Sequence, residues 1–181
     1  MTATLGLKGR RPEVGTWDNK GLLYVLAVIN VVTAAVHANT LGSPRDAKRK
    51  TGRSKTRRLQ EAFAAHLRHV GRVYPRGQYR RVVLVIDNAP WHVGQPVDDA
   101  LRDHPHLEFY RLPPYSPQLN PIERFWRVLR RRATHNRLFD TLADLRRSVR
   151  NSLCYFQTVR SRVASLVENS FRQKPTASAA S

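Results

Sequence analysis

Two carboxylates frame the chemistry that this sequence could perform. Asp87 ends the apolar run over residues 81–86 (RVVLVI), and Glu123 follows the rigid turn Pro113-Pro114-Tyr115-Ser116-Pro117 and the tripeptide Asn120-Pro121-Ile122. A short Val-rich run reads as a buried strand, and open α/β sheets place their sites at the ends of such strands. Residues 107–112 read as a second strand. Two strands and one helix start are then enough to bring Asp87 and Glu123 together. A carboxylate pair suits Mg²⁺, which takes oxygen ligands and is held by one or two carboxylates plus substrate phosphates. Two such ions, about 3.5–4 Å apart, clamp the attacking and leaving oxygens of a displacement at phosphorus. A plainer reading stands beside this one. Asn120 suits an N-cap, Pro121 the first helical position, and Glu123 the third position of a capping box. Asp87-Asn88 likewise suits an ordinary turn. Spacing alone leaves both readings open and leans to the plainer one.

The elements that must position these acids can be read along the chain. Residues 22–32 and 34–39 read as two strands of a hairpin joined near Thr33, buried on at least one face. Helical spacing begins near Ser54, where Leu59, Phe63, Leu67 and Val70 make one apolar face, and stops near Gly71. His66 and His69 fall to its surface or to an interface. Residues 97–103 form a short helix whose Asp98, Asp99 and Asp103 belong to a solvated face and to its amino-terminal end. A helix over 121–134 carries an apolar stripe of Ile122, Phe125, Trp126 and Leu129. A further helix spans 141–155, capped by Asp140 or Thr141, and another covers 158–169. Trp91 and Trp126 read as packing residues, and Cys154 as a small core residue. Residues 1–16 form a basic, poorly ordered lead-in, 17–156 the main domain, 157–169 an added helix, and 170–181 a disordered tail.

Charge narrows the partners. The 181 residues hold 32 Lys and Arg against 13 Asp and Glu, a formal charge of +19. An excess of this size is the footprint of a nucleic-acid binder. The segment SPRDAKRKTGRSKTRR, residues 43–58, reads as a solvated loop that can touch phosphate through Lys48, Arg49 and Lys50. Arg124, Arg127, Arg130 and Arg131 follow the second acid on its helix and can grip DNA backbone. The single cysteine excludes an internal disulfide, and no Cys/His metal cluster is visible. The longest apolar run, 22–36, is broken by Asn30 and Thr33 and falls short of the ~20 residues of a membrane span. These absences point to the cytoplasm, at the nucleoid, with no membrane partner.

The strings Asp87-Asn88-Ala89-Pro90-Trp91-His92 and Pro114-Tyr115-Ser116-Pro117-Gln118-Leu119-Asn120-Pro121-Ile122-Glu123, with Trp126 after them, resemble the catalytic core of DDE-type transposases. The branch they resemble is the bacterial insertion-sequence group related to the mariner elements. The match is long, ordered and correctly spaced, and weaker similarity runs from about Val14 to about Phe156. The resemblance implies an α/β fold, an RNase H-like mixed sheet flanked by helices. It makes Asp87 and Glu123 the second and third acids of a triad that holds two Mg²⁺ or Mn²⁺ ions. Asn88, His92 and Asn120 then stand close enough to touch substrate or to support the acids. The implied activity is DNA strand cleavage and transfer, on transposon ends and target DNA.

Two parts of the resembled family are not found in this sequence. One is the first strand with its Asp, since neither Glu13 nor Asp18 ends an apolar strand. The other is the helix-turn-helix that precedes it. The sheet is therefore expected to be incomplete, with its central strand missing between residues 22–32 and 81–87. Such a chain would be completed by an upstream companion chain or act as a homodimer. The competing expectation is a catalytically inactive, DNA-binding remnant.

Overall fold

The alternation of side chains along residues 22–29 places the first strand between two layers. The computed structural model describes residues 22–43, 52, 54–114, 116 and 119–171. Strand β1 (Leu22–Ile29) pairs antiparallel with β2 (Val36–Ser43), from Leu22 opposite Ser43 to Ile29 opposite Val36. Successive strand residues point to opposite faces. Leu23, Val25 and Ile29 thus enter one apolar cluster, and Leu26 and Val28 enter another. The hairpin turns over residues 30–35, around the Thr33 junction expected from sequence, with β1 ending at Ile29. The Asn30 side-chain oxygen accepts hydrogen bonds from the Val32 and Thr33 amides at 2.9 and 3.0 Å. This local acceptor takes the backbone out of the ladder, and β2 continues to Ser43.

Helix α1 (Lys55–Val73) starts at Ser54, whose hydroxyl accepts from the Arg57 amide at 3.1 Å. Its buried face holds the four expected residues, Leu59, Phe63, Leu67 and Val70. It also holds His66, which is 1% exposed and so is neither a surface nor an interface residue. The position was readable, because residue 66 lies three after Phe63 and four before Val70, on the same stripe. The helix runs past Gly71, which is buried inside it.

Strand β3 (Val82–Ile86) is parallel to β4 (Leu107–Arg111), with a 3₁₀ turn at Pro90–His92 and helix α2 (Gln95–Asp103) between them. Leu84 and Ile86 are buried against α1 and α2, but Val83 and Val85 are 50% and 48% exposed. The run over residues 81–86 was read as a buried strand. Among the described residues it is covered on one face. Helices α3 (Ile122–Thr134), α4 (Leu142–Thr158) and α5 (Arg160–Phe171) close the far side of the β1–β2 hairpin. Phe125 and Val163 sit at the centre of that cluster with no exposed surface. Thr141 caps α4, accepting from the Asp144 amide at 3.1 Å. Cys154 is exposed, not a core residue. The buried stripe of α4 runs through Val149, Leu153 and Phe156, and a helix turns about 100° between Leu153 and its successor.

The described strands form two separate two-stranded sheets, and β1 does not pair with β3. Helices lie on both sides of the hairpin, giving three α/β/α layers. No helix among the described residues is long and apolar enough to cross a membrane. The lead-in over 1–16 and the terminal residues 172–181 lie outside the described residues.

Candidate active site

Asp87 is the first residue beyond β3, at the carboxyl end of a strand with a parallel neighbour. The two strands stay joined past it, since the Leu112 amide donates to the Ile86 carbonyl at 2.9 Å. The Asn88 side chain donates to the Leu112 carbonyl at 2.8 Å. Asn88 is thus a clamp on the strand ends. One Asp87 oxygen, Oδ1, accepts from the Ala89 amide at 3.1 Å and lies 3.0 Å from His92 Nδ1. The same ring nitrogen is 3.2 Å from the Asp87 carbonyl. Both neighbours of Nδ1 are acceptors, so Nδ1 carries the proton.

His92 is itself held in place. Its ring packs at a tilt against Phe63 with centroids 4.3 Å apart, and Arg111 donates to its carbonyl at 3.2 Å. One residue further on, Gln60 donates to the Val93 carbonyl at 2.7 Å. Burial pushes the His92 pKa below its ordinary 6.5, against the raising pull of the Asp87 carbonyl and carboxylate, while Arg111 adds to the lowering. At neutral pH the ring is therefore an uncharged donor. It orients Asp87 without neutralising it.

Glu123 lies in the first turn of α3, where negative charge is favourable. The capping box open to it is not formed. Helix α3 begins one residue later than that arrangement needs, with Pro121 as N-cap. The Asn120 side chain accepts from the Ile122 amide at 3.3 Å, and its carbonyl accepts from the Glu123 amide at 3.1 Å. Asn120 thus shapes the helix start, and no described residue partners the Glu123 carboxylate.

Asp87, His92, Asn120 and Glu123 all line one cavity of about 770 Å³, with Trp91 and Trp126 in its wall. Asn88 does not line it. The cavity also contains Tyr24 and His66, whose Oη and Nε2 are buried without a partner. Neither had been singled out as part of a site.

The donor set fits a divalent cation in part. Asp87 Oδ2 and both Glu123 oxygens have no partner among the described residues, and two carboxylates are what Mg²⁺ takes beside waters and phosphates. The described residues hold no group of three His, Cys, Asp or Glu able to bind a metal ion. Five other described acids are engaged elsewhere. Glu61, Asp99, Asp103, Glu108 and Asp144 pair with Arg57, Arg102, Arg68, Arg81 and Arg147 at 2.6–3.2 Å. Asp98 lies in the first turn of α2.

Arg127, Arg130 and Arg131 follow Glu123 by four, seven and eight residues and so share its side of α3. All three are exposed and Arg124 is half-buried. None of the four has an acidic partner among the described residues. Arg130 Nε donates to the Trp126 carbonyl at 3.4 Å. Arg132 differs, with its guanidinium 3.7 Å from the centroid of the Tyr155 ring. Lys48, Arg49 and Lys50 lie outside the described residues.

Comparison with known proteins finds relatives of this chain. A family model described as DDE superfamily endonuclease matches residues 5–146. The uncharacterized protein y4pE/y4sA of Sinorhizobium fredii is 35% identical over 85 residues, 47% of this chain and 58% of that protein. The insertion element IS630 uncharacterized 39 kDa protein of Shigella sonnei is 28% identical over 100 residues, 55% of this chain and 28% of that protein. The match thus spans little more than half of one relative and about a quarter of the other. Among solved structures, the Mos1 mariner paired end complex with Mn is similar with a TM-score of 0.57 and 17% identity, over 96% of this chain and 52% of that one. The catalytic domain of Mos1 mariner transposase gives 0.53 and 19%, over 87% and 81%. The fold is therefore that of a transposase catalytic domain, RNase H-like.

Proposed function

The chain belongs to the DDE superfamily endonucleases, and we propose that it is part of a transposase that cuts and rejoins DNA with divalent metal ions held by Asp87 and Glu123. The observation that carries this reading is the shared cavity, which Asp87 and Glu123 both line with oxygens left open. Mg²⁺ or Mn²⁺ bound there would activate a water or a 3′-hydroxyl and neutralise charge at phosphorus. The protein's own residues do the rest. His92 fixes one Asp87 oxygen and leaves the other for the ion. Asn120 sets the start of α3 and with it the position of Glu123. Arg124, Arg127, Arg130 and Arg131 hold backbone phosphates without reading bases, and the net charge of +19 draws the duplex in. The substrates are transposon ends and target DNA, and the working unit is a homodimer or a complex with a companion chain.

Mn²⁺ titration followed by electron paramagnetic resonance tests the site, and nicking of a duplex carrying the element's own end tests the activity. Asp87→Asn and Glu123→Gln should each abolish saturable Mn²⁺ binding. Binding unchanged in both variants would falsify the assignment. A second reading, a DNA-binding protein that is catalytically silent, stands beside it because Asp87 and Glu123 are the two acids among the described residues that line the cavity. It predicts DNA binding that weakens steeply with salt and no metal-dependent nicking.

A further inference from the structure

The ring that orients Asp87 sits on a segment with little structure of its own. Pro90–His92 is a single 3₁₀ turn, closed by one bond from the His92 amide to the Ala89 carbonyl at 3.0 Å. Such turns have poorer hydrogen-bond geometry than an α-helix, so neighbours must set where the His92 ring points. Two of them are Gln60 and Phe63, three residues apart on one side of α1. Phe63 packs against the ring and is itself fixed in the core, 6% exposed beside Leu67, Leu84 and Ile86. Gln60 reaches the next residue, where its Nε2 donates to the Val93 carbonyl at 2.7 Å. The same amide lies close over Gly94. A Cβ on Gly94 would stand 2.7 Å from Gln60 Nε2 and 3.2 Å from Gln60 Cδ, and Gly94 has a φ of 108°. Glycine meets both demands, the left-handed backbone and the close approach. Residues 93–94 are thus shaped to receive the Gln60 side chain. Arg111 of β4 supplies a third contact, on the His92 carbonyl.

We propose that Gln60 is a positioning residue of the active site, fixing the Val93 carbonyl and with it the direction in which His92 offers its Nδ1 proton to Asp87. The chain of contacts is short. Gln60 holds residue 93, Phe63 bears the ring of residue 92, and Nδ1 lies 3.0 Å from Asp87 Oδ1 and 3.2 Å from the Asp87 carbonyl. One N–H placed between two acceptors keeps both only while the ring holds its tilt, because hydrogen bonds weaken steeply with angle. Gln60 touches neither Asp87 nor a metal ion, so it acts through His92. The plainer role for Gln60 is to fasten α1 to the chain entering α2. Those helices are already joined further along, where Arg68 pairs with Asp103 at 2.8 Å and Gly71 meets the His104 ring. Fastening therefore has no need of Gln60, whereas the Val93 carbonyl has no other donor among the described residues. The expected effect on metal affinity rests on the metal-site reading above; the expected effect on the His92 ring does not.

The test uses the full chain with nitrogen-15 in its histidine rings. Gln60→Met removes the donor while keeping side-chain length, neutrality and helix propensity. Ring spectra of the metal-free wild type at neutral pH should show His92 protonated at Nδ1, its signal identified by its loss in His92→Ala. In Gln60→Met the proton should be shared between the two ring nitrogens. Mn²⁺ affinity, read by electron paramagnetic resonance, should fall about threefold to tenfold, the usual worth of one hydrogen bond. In a His92→Ala background the same substitution should change Mn²⁺ affinity by less than about twofold, because residues that act through one another lose their effects together. A His92 ring spectrum unchanged in Gln60→Met overturns the proposal. So does a loss of Mn²⁺ affinity of equal size with and without His92, since Gln60 would then serve the fold alone. If Asp87→Asn abolishes Mn²⁺ binding and Gln60→Met leaves it unchanged, the positioning role falls and the metal reading stands. If the ring responds to Gln60→Met while Mn²⁺ binding is indifferent to both substitutions, the positioning of His92 stands and the metal reading falls.

Discussion

Acidification should weaken this fold through His66, by an amount that the structure sets. Burial, then the nearby His69 and His37, lowers the His66 pKa from 6.5 to about 4. The ring is 1% exposed. Its Nδ1 lies 3.2 Å from the Asn39 side-chain nitrogen, a donor, so Nδ1 accepts and the proton sits on Nε2. A second proton at Nδ1 would face that donor and remove the bond. The folded value lies below the unfolded one, so the unfolded chain binds the proton more tightly. Stability is therefore fully present above pH 6.5 and falls as the pH drops towards 4. Below 4 both states are protonated and the loss stops. The shift of 2.5 units corresponds to roughly 3 kcal/mol between pH 7 and pH 4, with a slope of up to about 1.4 kcal/mol per pH unit. His37 is lowered in the same sense, first by burial, then by His69 and Arg160. Comparison with His66→Gln removes that background, because the variant keeps an acceptor for Asn39 and does not titrate. Urea unfolding of both proteins, followed by circular dichroism from pH 7 to pH 4, should give stability curves that converge by roughly 3 kcal/mol on acidification. Curves that stay parallel within about 0.5 kcal/mol would refute the reasoning.

Three other perturbations follow from the geometry. His92→Ala leaves Asp87 Oδ1 with the Ala89 amide as its one described donor and should lower Mn²⁺ affinity about 10–100-fold, the usual cost of losing a partner of a metal ligand; a donor restored in His92→Asn should recover part of it, as measured by electron paramagnetic resonance. The double change Arg127→Ala with Arg131→Ala should weaken DNA binding alike on all sequences and reduce the salt slope by roughly two, read from fluorescence anisotropy at several salt concentrations. Gly71→Ala places a Cβ against the His104 ring where α1 meets α2. Its gain in helix propensity, about 1 kcal/mol, should be outweighed by the overpacking, and thermal unfolding should show a lower midpoint.

The elements were legible in the sequence because their signals are local. The stripe through Leu59, Phe63, Leu67 and Val70 fixes the buried face of α1, and the apolar run ending at Asp87 fixes β3. What eluded the sequence depends on the neighbours that each element meets. The Val-rich run cannot show that Val83 and Val85 lack a covering layer, since hydrophobicity is the same whether or not a helix lies above it. Cys154 sits beside Leu153 in the chain, yet one step around the helix takes it out of the core. Glu123 could have closed a capping box or stayed open. That choice turned on where α3 begins, a shift of a single residue.

The unengaged state of the two acids is not a matter of scarce cations. With 32 basic side chains against 13 acids, any carboxylate in this chain could have found a guanidinium. Five described acids did so, on the surface, where such pairs contribute little to stability. Asp87 is held by a ring that burial keeps neutral, and Glu123 by nothing described. A cation in either place would cancel the charge that a divalent ion needs and occupy its lone pairs. A neutral donor fixes the carboxylate's direction and leaves its charge and second oxygen in the cavity. Five described acids take arginine partners on the surface, and the two acids that line the cavity take none, which leaves their charge for a divalent ion.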